Sequence, residues 1–156
     1  MAINPNDKSK IINLCDYPVS WKRETIVGDE YLKANGTTRV TNSEIETQVE
    51  NGNVFLRGVD DKGSHACVYI DNPELRESLG FDNKAENKKQ IIIDTDKCKD
   101  ILSLKTISAF KKNLKENIVT RQEKMKIMTV ARKTKLNNYE MIQELEQYCQ
   151  MSFNIK

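Results

Sequence analysis

Histidine is almost missing from this chain, with His65 the single example. Proton-transfer and metal chemistry draw heavily on imidazole, so most histidine-based catalytic arrangements are excluded unless they centre on that residue. Glycine is sparse as well. The six glycines, at 28, 36, 52, 58, 63 and 80, stand singly with neither Walker nor Gly-x-Gly-x-x-Gly spacing, which argues against a phosphate-cradling loop and nucleotide enzymology. No apolar run approaches the roughly 20 residues that span a bilayer. The opening Met1-Ala2-Ile3-Asn4-Pro5-Asn6-Asp7 lacks the basic-then-apolar layout of an export signal. The expectation is a soluble chain, cytoplasmic or in a virion, with no membrane partner. Cys15, Cys67, Cys98 and Cys149 are spread without close pairing, so neither a disulfide framework nor zinc-ligand spacing is legible; reduced thiols, no metal, no cofactor and no small-molecule substrate are expected.

What the chain does have is segregated charge. Between residues 105 and 135 stand ten Lys or Arg against Glu116 and Glu123, although the whole sequence carries a formal net charge of only +2. Everything outside that window is therefore net acidic, an arrangement that implies two parts with different electrostatic roles. With 38% hydrophobic and 31% charged residues in 156, the chain is polar for a globular protein but rich enough in apolar groups to fold, as one domain or two small ones.

The front half reads as strands and turns. Val19 and Trp21 alternate with Ser20 and Lys22, and a second run with Tyr31, Leu32 and Ala34 leads into Asn35-Gly36. Such a pair favours a type I′ hairpin turn, with residues 37–40 as the return strand; that reading also explains Asn35-Gly36-Thr37 better than glycosylation does. Thr41-x-x-Glu44 has capping-box spacing ahead of Ile45 and Val49, with Asn51-Gly52 as the stop. Val54-Phe55-Leu56 reads as a buried strand, and residues 65–70 as another with Ala66, Val68 and Ile70 on one face and His65, Cys67 and Tyr69 on the other. Asn72-Pro73 opens a short helix that Gly80 ends. Residues 82–89 are polar throughout and form a linker candidate, and residues 90–93 could add an edge strand.

From residue 95 the period becomes helical. Cys98, Ile101 and Leu102 form one stripe, and Leu104, Ile107, Phe110, Leu114 and Ile118 a longer one. Thr120-x-x-Glu123 is a second capping box, opening a helix with Met125, Met128 and Ala131 on its apolar side; residues 137–140 open another. The tail from residue 150 is weakly patterned. The expected fold is α+β: a small antiparallel sheet or partly open barrel with two short helices over 15–81, a linker over 82–89, and a basic unit of three or four short helices over 90–152.

Three functional readings follow. The leading one is a non-enzymatic structural or interaction protein, an accessory component of a larger assembly such as a phage particle (capsid-associated or connector type), partnered by copies of itself or by other subunits. Its expected binding surface is Lys111, Lys112, Lys115, Arg121, Lys124, Lys126, Arg132, Lys133 and Lys135, with Trp21, Phe55 and their neighbours contributing where exposed. The alternative is a DNA- or RNA-binding module using the helices of residues 105–135, in which each cation set against a phosphate releases counterions. Glu140, Glu144 and Glu146 would give the last helix the wrong sign for recognition, so residues 121–133 would be the reader. A Cys-His enzyme at His65 and Cys67 is the third, since residues two apart share a strand face. The plain counterparts are solvated faces of amphipathic helices for the lysines and a strand histidine beside a small thiol for the pair.

Overall fold

The computed structural model describes residues 3–154, so the first two residues of the opening segment and the last two of the tail lie outside the described residues. The chain is α+β and divides into two compact units, Met1–Ile92 and Ile93–Lys156. In the first, β1 (Lys8–Asn13) is the centre of an antiparallel sheet of order β4-β1-β5, with β4 at Thr37–Thr41 and β5 at Val68–Asp71; β2 (Val19–Lys22) and β3 (Asp29–Leu32) form a separate two-stranded ribbon. The described strands thus make two small open sheets, not a closed barrel. Alternation fixes the pleat: Ser9, Ile11 and Asn13 point inward while Lys8 and Lys10 face out. Helices α1 (Asn42–Glu50), α2 (Val54–Arg57) and α3 (Pro73–Ser78) complete a core of Ile11, Leu32, Ile45, Leu56, Val68, Ile70, Leu75 and Phe81, all fully or almost fully buried.

Several expectations are corrected. Asn35-Gly36 does not join a hairpin: β3 pairs with β2 and β4 with β1. Only Asn35 of the two has positive φ, short of the two such residues a type I′ turn needs. The pair instead marks the crossing between sheets, where Gly36 donates its amide to the Lys33 carbonyl and its carbonyl accepts the Asn13 amide at 2.8 Å. Val54-Phe55-Leu56 is helical, because the Asn53 side chain accepts the Phe55 amide at 2.9 Å and caps a single turn, a local bond that overrides β-branched propensity. The strand expected over residues 65–70 begins only at Val68. Ahead of it the chain is a tight loop in which Asp60 accepts the Lys62 and Ser64 amides, and a Cβ at Gly58 would lie 2.1 Å from the Ser64 carbonyl oxygen, so only glycine fits there. His65 itself has φ 58°. Residues 90–93 form no strand and contribute one backbone bond, from the His65 amide to the Ile91 carbonyl at 2.8 Å. The polar segment 82–89 folds within the first unit as a turn bridged between Asn83 and Lys88, with Asp82 held by Arg76 at 2.9 Å.

The Thr41 cap forms, but Glu44 does not close the box. Its buried carboxylate instead accepts the amides of Glu24 and Thr25 and the Thr25 hydroxyl at 2.9–3.1 Å, and the Gln48 side-chain amide at 2.9 Å. Burial pushes its pKa up, and the bonds from Thr25, Gln48 and Glu24 outweigh burial, leaving the carboxyl below its ordinary value.

The second unit consists of α4 (Thr95–Leu102), α5 (Ile107–Asn117), α6 (Arg121–Lys133) and α7 (Tyr139–Cys149). Asp94, Thr106, Thr120 and Asn138 cap them in turn, and the Thr120-Glu123 box is complete. The core joins Cys98, Ile101, Phe110, Leu114, Ile118, Ile127, Met128, Ala131 and Leu145. Met125, expected on the apolar side of α6, faces outward at 37% exposure, and Ile127 takes the centre.

Glu44→Gln should lower stability by about 1–3 kcal/mol, since an NH₂ group then faces amides that need an acceptor. The folded carboxyl lies below the unfolded value of roughly 4.3, so its contribution is complete above that pH and is lost as pH falls toward the folded pKa. Urea unfolding should therefore show the gap between wild type and variant narrowing in acid; a constant gap would assign the effect to packing.

Candidate functional site

The nine nominated cations have four different fates. Lys111, Lys112 and Lys115 on α5 are exposed. At 100° per residue they fall within an arc of about 100°, turned away from the buried Phe110 and Leu114. Lys111 has a carboxylate beside it, Glu144 of α7 at 3.7 Å, whereas Lys112 and Lys115 carry no ion pair among the described residues. Arg121 is exposed at the start of α6, and Lys133 and Lys135 are exposed at its other end. A rise of 1.5 Å per residue separates Arg121 from Lys133 by about 18 Å, so the exposed cations are not one continuous patch.

The remaining three serve the fold. Arg132 donates to the Phe153 carbonyl at 2.8 Å and to the Ser152 carbonyl at 2.5 Å, holding the segment beyond α7. Lys124 sits 4.9 Å over the Tyr148 ring, and the Tyr148 hydroxyl donates to the Ile118 carbonyl. Lys126 is 3% exposed, which corrects its assignment to the surface: α4 and α7 both pack on α6, widening its buried side to take in Glu123 and Lys126.

Sequence reading did not find the grouping of Lys99 with Lys135. These two line an open cleft of about 300 Å³ with Leu102, Ser103 and Thr134. A second cleft of about 280 Å³ lies between Arg121, Lys124 and Met151. In the first unit a cleft of about 450 Å³ borders the 82–89 turn, lined by Arg76, Glu77, Lys84, Lys88 and Lys89. Their signal in the sequence was charge alone, which does not tell which lysines converge.

His65 and Cys67 do not share a strand face, because His65 precedes β5 in a left-handed conformation and is buried, while Cys67 is half-buried. Among the described residues no three His, Cys, Asp or Glu side chains converge closely enough to hold a metal ion, and no helix is long and apolar enough to cross a membrane. Trp21 and Phe55 stack on each other, with ring centroids 5.9 Å apart, and both are half-buried beside an exposed Val54. The ribbon turn is more apolar outward: Ile26 and Val27 are 60% and 97% exposed.

No protein-family model matches the chain, and neither a curated protein nor a solved structure matches it.

Amine-reactive labelling should modify Lys112, Lys115, Lys133 and Lys135 quickly in the native chain and leave Lys126 protected until urea unfolds the helical unit. Peptide mapping over time reads the order. Native labelling of Lys126 as fast as Lys112 would contradict its burial.

Proposed function

We propose that this protein is a non-enzymatic interaction component of a larger assembly, such as an accessory piece of a phage particle, and that it docks through the exposed cations of α5 onto an acidic surface of a partner subunit. The observation that carries the reading is the arc formed by Lys111, Lys112 and Lys115, of which two bear no ion pair among the described residues. Uncompensated cations on one rigid helix face provide orientation and encounter rate more than affinity, which suits a small part that must settle in a fixed pose. The Glu144 carboxylate beside Lys111 and exposed Glu116 make the surface mixed in sign, which favours a protein partner over a continuous phosphate backbone. The apolar ribbon turn at Ile26 and Val27 supports the same preference. The reading implies a cytoplasmic or virion location.

Nucleic-acid binding is the second reading, and one observation favours it: Arg121 and Lys124 line a single cleft that could take a phosphate.

Neutralising Lys111, which faces Glu144, and reversing Lys112 and Lys115 (K111Q, K112E, K115E) should weaken binding to polyglutamate, as an acidic-protein probe, about tenfold or more while leaving thermal unfolding within a few degrees. The chain should also band with assembled particles in a density gradient, and the variant should not. On random duplex DNA the assembly reading expects almost no salt dependence. A log-log slope of about −3 or steeper, abolished by the same substitutions, would transfer the function to nucleic acid.

A further inference from the structure

Cys15 and Cys67 are distant in sequence and meet where β1 ends. β1 pairs with β5 as far as Asn13 opposite Val68, and the next step keeps register, the Leu14 amide donating to the Cys67 carbonyl at 2.7 Å. Cys15 follows one residue on. Leu14 thus stands opposite Cys67, and with consecutive Cα atoms about 3.8 Å apart the Cys15 backbone lies one residue step from the cross-strand partner of Cys67. In a continuous strand the two side chains would leave on opposite faces. Here the strand stops at Asn13, whose buried side chain folds the following segment back: its Oδ1 accepts the Cys15 amide at 2.9 Å, and its Nδ2 donates to the Tyr17 and Lys33 carbonyls at 2.9 and 3.0 Å. The Asn35 amide pins the Cys15 carbonyl from the other side at 3.0 Å.

Both thiols interact with the Tyr17 hydroxyl. A phenol has one proton to give and lone pairs to accept with, so it can donate to one sulfur while accepting from the other. Burial first, and then the two thiols, raise the Tyr17 pKa and keep the phenol protonated. The ring itself reaches the surface at 37% exposure, so the thiols lie beneath a surface side chain.

From this convergence we propose that Cys15 and Cys67 are a reversible dithiol–disulfide pair, a redox-sensitive staple between the end of β1 and the start of β5. The oxidant is a small disulfide of the glutathione class. The half-buried Cys67 thiolate attacks one of its sulfurs, the small S–S bond breaks, and one thiolate leaves with the electron pair and takes up the proton that Cys67 lost. The Cys15 thiolate then attacks the Cys67 sulfur and expels the second small thiolate, which is protonated in the same way. Two protein thiols are oxidised together by two electrons, and the small disulfide is reduced to two thiols. Cys98 and Cys149 are buried in the helical unit, and burial pushes the Cys149 thiol up to about 11 against a small opposing pull from Lys124; both serve as internal controls.

The test exposes the full chain to excess oxidised glutathione, quenches by alkylation in acid and maps peptides without reduction. The expected product is one cross-linked pair joining Cys15 to Cys67, with Cys98 and Cys149 alkylated and dithiothreitol restoring all four thiols. In Cys15→Ser the glutathione should stay on Cys67, since no second thiol releases it; Cys67→Ser should leave Cys15 alkylated and free of glutathione. Glutathione remaining on Cys67 of the wild-type chain, alkylation of both Cys15 and Cys67 after exposure, or a cross-link to Cys98 or Cys149 would each overturn the proposal, and the wild-type map decides even if a variant fails to fold.

Discussion

Each unit fastens a turn to a helix through a buried glutamate that accepts the turn's backbone amides. A carboxylate taken out of water is costly unless hydrogen-bonded donors replace the lost solvation, and here they do. Glu44 receives two amides, a hydroxyl and the Gln48 amide, so the β2–β3 ribbon, which as an isolated hairpin would be marginal, is fastened to α1. Gln48 extends the chain of bonds: its Nε2 also donates to the Lys22 carbonyl, and its Oε1 accepts from Asn53, the residue that caps α2. The Trp21–Phe55 stack is the apolar side of this same junction. Ribbon, α1 and α2 are therefore positioned by one connected polar network with an aromatic clamp.

The helical unit repeats the device. Glu123 accepts the amides of Val119 and Thr120 at 3.0 Å, and Tyr148 holds the Ile118 carbonyl, so the turn between α5 and α6 has its exposed backbone groups satisfied from two directions. This fixes the direction of α5 and with it the lysine arc. The same packing takes up cations: Arg132 is engaged by the segment beyond α7 and Lys126 lies in the interior, while Lys124 sits over Tyr148 and still lines the cleft with Arg121. A block of ten like charges in sequence thus becomes a smaller, divided set at the surface.

Helix starts were more legible than pairings, because a cap is a contact between residues two or three apart: Thr41, Asn72 and Thr120 cap the helices their spacing implies, whereas the last helix is capped by Asn138, one residue beyond the Asn137 that the box spacing indicates, and the Asn53 cap of α2 gave no such signal. Pairings were the least legible. Ser9 and Lys10 break the apolar look of β1, yet Ser9 is buried because Asn72 donates to its hydroxyl and it donates to Asn42; a strand whose inward residues are polar and paired from afar leaves no local period. Asn35-Gly36 carried a real turn signal but not which strands it joins, since β4's five-residue ladder with β1 is a long-range choice. Lys126 fails for a related reason. A helix flanked by two others buries about 200° of its circumference, against the stripe of roughly 100° a surface helix shows, and nothing within the α6 segment announces the second neighbour.

Charge segregation is compatible with the fold without being required by it. The first unit carries fifteen acids against twelve bases and the second eight against thirteen, so their formal charges are −3 and +5. Within α5, Lys111 and Lys115 are a like-charge pair four apart, which costs an isolated helix a few tenths of a kcal/mol. Glu144 offsets part of that at Lys111, and Lys115 lies in the last turn, where the helix dipole favours a cation. The net electrostatic cost is therefore small beside the roughly 5–15 kcal/mol that holds a domain together. Lys112 and Lys115 support no contact that the fold needs, unlike Arg76 and Arg132, whose guanidinium groups each satisfy a carbonyl. A cation that can be removed without leaving a buried acceptor empty is the kind whose removal reports on binding and not on folding. Lys112 and Lys115 are of that kind, and so they separate the two functional readings.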